Sequence, residues 1–230
     1  MTAICIIPAR GGSKGIRQKN VRFVGGKPLI AWSIEQAKAA NLVSRVIVAT
    51  DDDEIANVAW GLDADVFIRA PETATDTATS ESAILQVLIE DMTAREARTT
   101  VFLQATSPIR QPHDIDRCVE MTEYCDSVFS ARTIEGYTWS RGGGVLRANY
   151  TTREPRQCWI DETLEENGSV YAFNTRGFID AECRIFGRTK AYPMHPLDSY
   201  QVDEPGDLAL IETLLRVRLP DDCRKPAARE

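Results

Sequence analysis

The stretch Ile4-Cys5-Ile6-Ile7-Pro8-Ala9-Arg10-Gly11-Gly12-Ser13-Lys14-Gly15-Ile16-Arg17-Gln18-Lys19-Asn20 runs from four consecutive apolar residues into a glycine-rich loop crowded with cations. A short, uninterrupted apolar run of this kind reads as a strand covered on both faces, as in the middle of a parallel sheet. The loop beyond it reads as a phosphate cradle. Gly11, Gly12 and Gly15 let the backbone turn tightly and bring N–H groups close to an anion, while Arg10, Lys14, Arg17 and Lys19 place positive charge around the same small volume. The spacing is not that of a Walker A loop, and the dinucleotide fingerprint is missing its leading Gly-x-Gly. A surface turn with solvated charges is the bland alternative.

Outward from this stretch, residues 29–40 set Ile30, Ile34 and Ala37 on one helical face, and residues 46–50 form a second buried strand ending in Asp51-Asp52-Asp53. Carboxylates at a strand's C-terminal end lie where open α/β sheets bind ligands, and they equally suit the N-cap of the helix carrying Ile55 and Val58; both readings stay open. Residues 64–68 give a third strand leading into Arg69. Residues 79–92 give a helix with Leu85, Leu88, Ile89 and Met92 on one face, and residues 101–103 a fourth strand that breaks at Thr106-Ser107-Pro108. A helix over 114–124 and a strand over 127–130 continue the alternation, which predicts an α/β fold, doubly wound around a mostly parallel sheet.

The rhythm fails between about residues 133 and 166. Gly142-Gly143-Gly144 reads as a tight reversal, and Tyr137, Trp139, Tyr150 and Trp159 decorate segments without a helical period. That predicts an inserted hairpin arm whose aromatics either form a contact surface or pack back on the parent domain. Residues 170–174 return as a strand and 200–203 as a last short one, after which Pro205 opens a helix with Leu208, Ile211 and Leu215 in a stripe. One domain over residues 1–220 and a frayed polar tail over 221–230 complete the expected organisation.

With 230 residues, the chain buries a sizeable single core. Its net charge of −7, from 27 basic and 34 acidic residues, argues against nucleic-acid binding, so the cations near the N-terminus read as a local site. The six cysteines follow no zinc spacing and read as reduced thiols. No apolar run approaches the roughly 18 residues needed to span a membrane and no signal peptide follows Met1, so a cytoplasmic protein without a membrane partner is expected. His113 and His195 are too few and too scattered for a metal cage or a triad.

Pro8-Ala9-Arg10-Gly11-Gly12-Ser13-Lys14-Gly15 with Lys19-Asn20 resembles the opening of the acylneuraminate (sialic acid) cytidylyltransferases, enzymes that make CMP-sugars from CTP. Arg69-Ala70-Pro71-Glu72 with Asp76-Thr77, Leu103-Gln104-Ala105-Thr106-Ser107-Pro108-Ile109-Arg110, Asn167-Gly168-Ser169-Val170-Tyr171 and Val202-Asp203-Glu204-Pro205 follow in the family's order, covering roughly residues 3 to 215. The resemblance implies a Rossmann-like nucleotidyltransferase fold in which the inserted arm at about 133–166 makes a homodimer. It implies CTP and an acidic sugar as partners, the sugar being a nonulosonic acid such as sialic, legionaminic or pseudaminic acid.

Transfer of this kind needs an in-line hydroxyl, cations around the leaving pyrophosphate and usually a divalent metal. The resemblance assigns Arg10, Gly11, Gly12, Lys14, Lys19, Asn20, Arg69 and Ser80 to the nucleotide, with Arg10, Lys19 and Arg156 as the catalytic set. It gives Gln104 and Arg156 to the sugar, a guanidinium suiting bidentate capture of its carboxylate. Asp203 becomes the ligand of Mg²⁺, the expected cofactor. Ser80 also suits a helix N-cap, Arg156 a salt bridge with Glu154, and Asp203 a cap for the Pro205 helix. The chain departs from the family pattern at Gln201, where a second aspartate often stands, at Glu165, where sialic-acid enzymes commonly carry a basic residue, and near residues 137–140, which lack the family's lysine. A shorter ulosonic acid, a phosphonate or a sugar phosphate is the alternative acceptor, and a non-catalytic nucleotide-binding protein is the alternative from another class.

Overall fold

The apolar run is buried on both faces because its alternate side chains enter two different cores. In the computed structural model, which describes residues 2–12, 15–70, 73, 78–153, 155 and 163–218, it forms β1 (Ala3–Pro8). Cys5 and Ile7 join one hydrophobic cluster, Ile4 and Ile6 the other. Along the chain follow β2 (Phe23–Val24), β3 (Lys27–Pro28), α1 (Leu29–Ala39), β4 (Val43–Thr50), α2 (Asp53–Gly61), β5 (Asp65–Ile68), α3 (Ser80–Glu90), α4 (Met92–Glu96) and β6 (Thr99–Leu103). Then come α5 (Pro112–Met121), β7 (Ser127–Ile134), β8 (Trp139–Gly142), β9 (Val145–Ala148), β10 (Thr163–Asn174), α6 (Thr175–Ala181), β11 (Thr189–Pro193) and α7 (Pro205–Arg218).

Seven strands form the main sheet in the order β11-β7-β10-β6-β1-β4-β5. The sheet is mixed but mostly parallel: β1 runs parallel to β4 and β6, and β10 alone is antiparallel to its neighbours β6 and β7. Residues from α1, α2 and α5 cover the Cys5 and Ile7 face, while α3, α4 and α6 cover the Ile4 and Ile6 face. The chain travels from β1 through β4 to β5, then returns to β6 on the opposite side of β1. This reversal makes the C-terminal ends of β1 and β6 a topological switch point, where open sheets leave a crevice for ligands. A third cluster, of Leu29, Trp32, Ile109, Val202, Ile211 and Leu215 among others, packs α7 beside that crevice.

Three local expectations change. The buried face of α3 is Ala83, Ile84, Val87 and Leu88, with Ile89 and Met92 exposed. Two apolar sets one residue apart both satisfy helical spacing there, and the set on the same face as the small Ala83 is the one that packs on the sheet. Residues 200–203 form no strand with the described residues; the Val202 N–H, donating to the Thr106 carbonyl at 2.8 Å, docks them on the loop after β6. The edge strand β11, of sequence Thr-Lys-Ala-Tyr-Pro, went unpredicted because a polar edge strand ending in proline carries no apolar pattern.

β7 and β10 run on beyond the core as a paired ribbon, Thr163 opposite Ile134 and Leu164 opposite Thr133. Between them β8 and β9 form a separate hairpin, turned by Gly143 and Gly144 at positive φ of 58° and 79°. Glycine is the residue suited to both positions. Trp139, Val145 and Leu146 are each more than half exposed on it. Trp159 lies outside the described residues, as does the 221–230 tail.

Candidate active site

The glycine loop is fixed at both ends by packing that only glycine permits. The Gly11 N–H donates to Asp51 Oδ1 at 3.0 Å, and a side chain on Gly11 would overlap Asp52. Asp52 in turn caps α2, its Oδ1 accepting from the N–H groups of Glu54 and Ile55. The aspartate run therefore serves two purposes, one carboxylate holding the loop and the next starting the helix. Further along, a Cβ on Gly15 would lie 2.7 Å from the Asp203 carbonyl oxygen, so loop and 200–203 segment meet backbone to backbone. Gly12 has open space around it.

After the glycines, Gln18 takes a left-handed conformation and a 3-10 turn over Lys19–Val21 reverses the chain. The turn brings the Lys19 ammonium back to donate to the Val202 carbonyl at 3.1 Å and to Asp203 Oδ1 at 3.2 Å. Asn20, largely buried, closes the loop by donating from Nδ2 to the Arg10 carbonyl at 3.0 Å. Its amide nitrogen thus shapes the loop.

These residues border a cleft of about 300 Å³ above the ends of β1 and β6. Arg10, Gly12, Lys19, Asn20, Arg69, Ser80, Gln104 and Asp203, which come from widely separated parts of the chain, all line it. Gly11 sits one residue behind the wall, and Lys14 and Arg156 fall outside the described residues. Arg69 is almost fully buried, with Nε donating to Gln86 Oε1 at 3.4 Å and a terminal nitrogen to the Thr73 carbonyl. Burial lowers its pKa and the charge of Asp51 opposes that shift. Ser80 is the first residue of α3 and Thr79 is the cap, its Oγ1 accepting from Ser82 N–H at 3.1 Å, so the Ser80 hydroxyl is not the helix cap.

Arg110, which ends the Thr106-Ser107-Pro108-Ile109-Arg110 run, has no role assigned by the resemblance. It is fully buried beneath the cleft, donating to Ser169 Oγ at 3.0 Å, to Ser33 Oγ at 2.9 Å and to the Gln104 carbonyl. Desolvation by burial pulls its pKa down to about 10, so it stays a cation at neutral pH. Nothing in the sequence marks Arg110 as buried; its acceptors come from separate elements, and a long cation is almost never buried without such a fixed set. Phe102, stacked on Tyr171 with ring centroids 5.2 Å apart, adds an apolar patch to the cleft wall.

Among the described residues no three carboxylates, imidazoles or thiols converge to hold a metal. Asp203, exposed on the cleft rim, is the carboxylate among the described residues lining the cleft, and its partner is Lys19 rather than an N–H of the helix behind it. That helix start is served by Asp207, which accepts from Asp203 N–H and Glu204 N–H. One carboxylate suits a hard cation that brings phosphate oxygens and waters as its other ligands. Glu165 pairs with Arg132 across the β7–β10 ribbon, away from the cleft-lining set.

Comparison with known proteins bears on this geometry. The family model described as cytidylyltransferase matches residues 4–217. N-acylneuraminate cytidylyltransferase A of Danio rerio is 35% identical over 216 residues, covering 90% of this chain and 49% of that protein. The chain thus spans about half the length of this relative. CMP-N,N'-diacetyllegionaminic acid synthase of Legionella pneumophila is 30% identical over 226 residues, covering 94% of this chain and 97% of that one. The solved structure of CMP:2-keto-3-deoxy-manno-octonic acid synthetase complexed with CTP superposes with a TM-score of 0.70 at 20% identity, over 95% of this chain and 100% of that chain, a likeness of fold.

Proposed function

Because this chain belongs to the cytidylyltransferase family, we propose that it activates a nonulosonic acid with CTP, giving the CMP-sugar and pyrophosphate. The observation that carries the reading is the convergence of Arg10, Lys19, Arg69, Ser80, Gln104 and Asp203 on one cleft at the switch point of the sheet. The loop N–H groups with Arg10, Lys14 and Lys19 take the triphosphate, and Arg69 and Ser80 take the nucleoside side. The sugar's anomeric hydroxyl attacks the α-phosphorus, the bond to the bridging oxygen breaks, and pyrophosphate and one proton leave. Gln104 and Arg156 hold the acid sugar, Arg156 through its carboxylate.

Mg²⁺ would sit on Asp203, where it supplies charge neutralisation at the phosphates when bound. Lys19 contacts this carboxylate, and its ammonium would face the negative charge that develops on the leaving group. The exposed apolar hairpin supports a homodimer, and unpaired thiols at Cys5, Cys118, Cys125 and Cys183 support a reducing, cytoplasmic setting. No helix among the described residues is long and apolar enough to cross a membrane.

The test is pyrophosphate release with each of four nucleoside triphosphates against N-acylneuraminic acid, N,N'-diacetyllegionaminic acid, a shorter ulosonic acid and a sugar phosphate. Turnover confined to CTP with a nine-carbon acid sugar is expected. Preference for a sugar phosphate, or binding of CTP without turnover of any acceptor, refutes the reading.

A further inference from the structure

The register of β10 against β7 shifts between Glu166 and Tyr171, with Gly168 at φ +67° inside the irregularity. The irregularity is pinned by Asn167, whose Oδ1 accepts from Ser130 Oγ at 2.6 Å and Ser169 N–H at 3.2 Å, and whose Nδ2 donates to Ser199 Oγ at 2.9 Å. The Asn167 main-chain carbonyl accepts from Gln201 Nε2. Beside it, the missing side chain of Gly168 leaves a slot: a Cβ there would overlap Gln201 Nε2 and lie 3.0 Å from Gln104 Oε1. Two carboxamides from distant parts of the chain therefore lie together across one glycine.

Gln104 is the member that reaches the cleft. Its main-chain carbonyl is gripped by Arg110, and its Oε1 accepts from Thr106 Oγ1 at 3.5 Å. Its Nε2 donates to no protein group among the described residues, which leaves a donor for a ligand oxygen. Gln201 stands two residues before Asp203 in an extended segment, yet the two side chains have different partners, Asn167 for one and Lys19 for the other.

We propose that Gln201 is a positioning residue for the acceptor half of the cleft: anchored on the Asn167 carbonyl, it backs Gln104 so that Gln104 Nε2 is presented to an oxygen of the acid sugar. This rests on the reading above that Gln104 meets the sugar. The position is then occupied by an amide because only a side chain with a donor can hold on to a carbonyl, which a carboxylate of the same size would repel.

The experiment is steady-state kinetics with CTP, Mg²⁺ and whichever acid sugar the pyrophosphate assay shows to be turned over. Gln201→Glu removes the donor at constant size, and Gln201→Met removes it without adding charge, so that one informative variant remains if the other fails to fold. Each is expected to raise the sugar KM about 10-fold, the scale of one lost hydrogen bond, and to leave the CTP KM and the half-saturating Mg²⁺ within about two-fold. Gln104→Leu raises the sugar KM as well, and adding Gln201→Met to it has no further effect, because residues acting through one contact are not additive.

A shift in Mg²⁺ requirement by Gln201→Met with the sugar KM unmoved overturns the inference, and so does full additivity of the pair. If Gln104→Leu leaves the sugar KM untouched, the assignment of Gln104 has failed and the inference with it. Absence of turnover with every acid sugar is instead the failure of the proposed function.

Discussion

At the residue scale, Lys19 shows how little of a functional group's behaviour lies in its identity. Its ammonium is held by a main-chain carbonyl and a carboxylate from the other end of the chain, with the side chain 16% exposed, so it sits preorganised at the cleft wall. A fixed cation beside a site of developing negative charge acts on the transition state without reorganising at the moment of reaction. Lys19→Ala is expected to lower kcat/KM by about 10²- to 10³-fold, the typical loss of one such donor. Circular dichroism and the melting midpoint check that the variant stays folded; unchanged turnover in a folded variant rules the role out.

Elements, not residues, decide where the loop lies. Gly11 is held against the residues that follow β4, while Gly15 and Lys19 meet the 202–203 segment, Gly15 backbone to backbone at the Asp203 carbonyl. Gly15→Ala forces the loop and that segment apart, displacing Lys19 from Asp203. A rise of about 10-fold or more in the CTP KM is expected, since a misplacement near 1 Å at a reacting site is enough for such losses. Gly206→Ala, where a Cβ meets nothing within 4 Å, is the control and leaves the CTP KM unchanged. Equal behaviour of the two variants, read by initial rates over a CTP titration, means that the close approach at Gly15 has no functional weight.

On the scale of the whole molecule, the hairpin of β8 and β9 stands outside both cores. Trp139 packs edge-on against Tyr150, and Tyr150 against Tyr137, yet Trp139 keeps 54% of its surface exposed. Light scattering is expected to give twice the 25.6 kDa chain mass, and Trp139→Asp with Leu146→Asp to shift the protein toward monomer, since charges at buried anchors weaken a two-fold interface. A wild-type monomer at micromolar concentration with full activity counts against that assembly.

The central strand makes a second claim at this scale. Burial pushes the Cys5 thiol up to about 12 from an ordinary 9, and burial raises Cys118 as well. The folded state keeps these thiols protonated while the unfolded chain releases the protons from about pH 9. The stability that Cys5 contributes is therefore complete below pH 9 and is lost as pH rises from 9 toward 12, and Cys118 acts in the same direction. Melting midpoints of the wild type are expected to fall between pH 8.5 and 10.5 more steeply than those of Cys5→Ala, measured against each protein's own value at pH 7.5. Parallel curves would show that Cys5 titrates as freely in the folded protein as in the unfolded one.

Much of this protein was legible before any coordinates. The apolar run at 4–7 had to be a doubly covered strand because no alternation separated an inner from an outer face, and the strand–helix rhythm that follows admits few topologies besides a parallel, doubly wound sheet. The glycine loop suggested a phosphate site through its composition, and the family resemblance named Arg69, Ser80, Gln104 and Asp203, which the fold brings to the same cleft. What the sequence left open was decided by contacts between segments far apart in the chain. Asp51 and Asp52 could cap or bind until Gly11 closed on one and α2 on the other. Gln201 read as a departure at a metal site, and the fold sets its amide on the Asn167 carbonyl, across Gly168 from Gln104. Arg110 became visible as a clamp only when α1, β6 and β10 met around it. Periodicity records which face of an element avoids water, because solvent acts on each residue locally. Which buried polar groups meet depends on long-range closure of the chain, and only the tertiary structure fixes that.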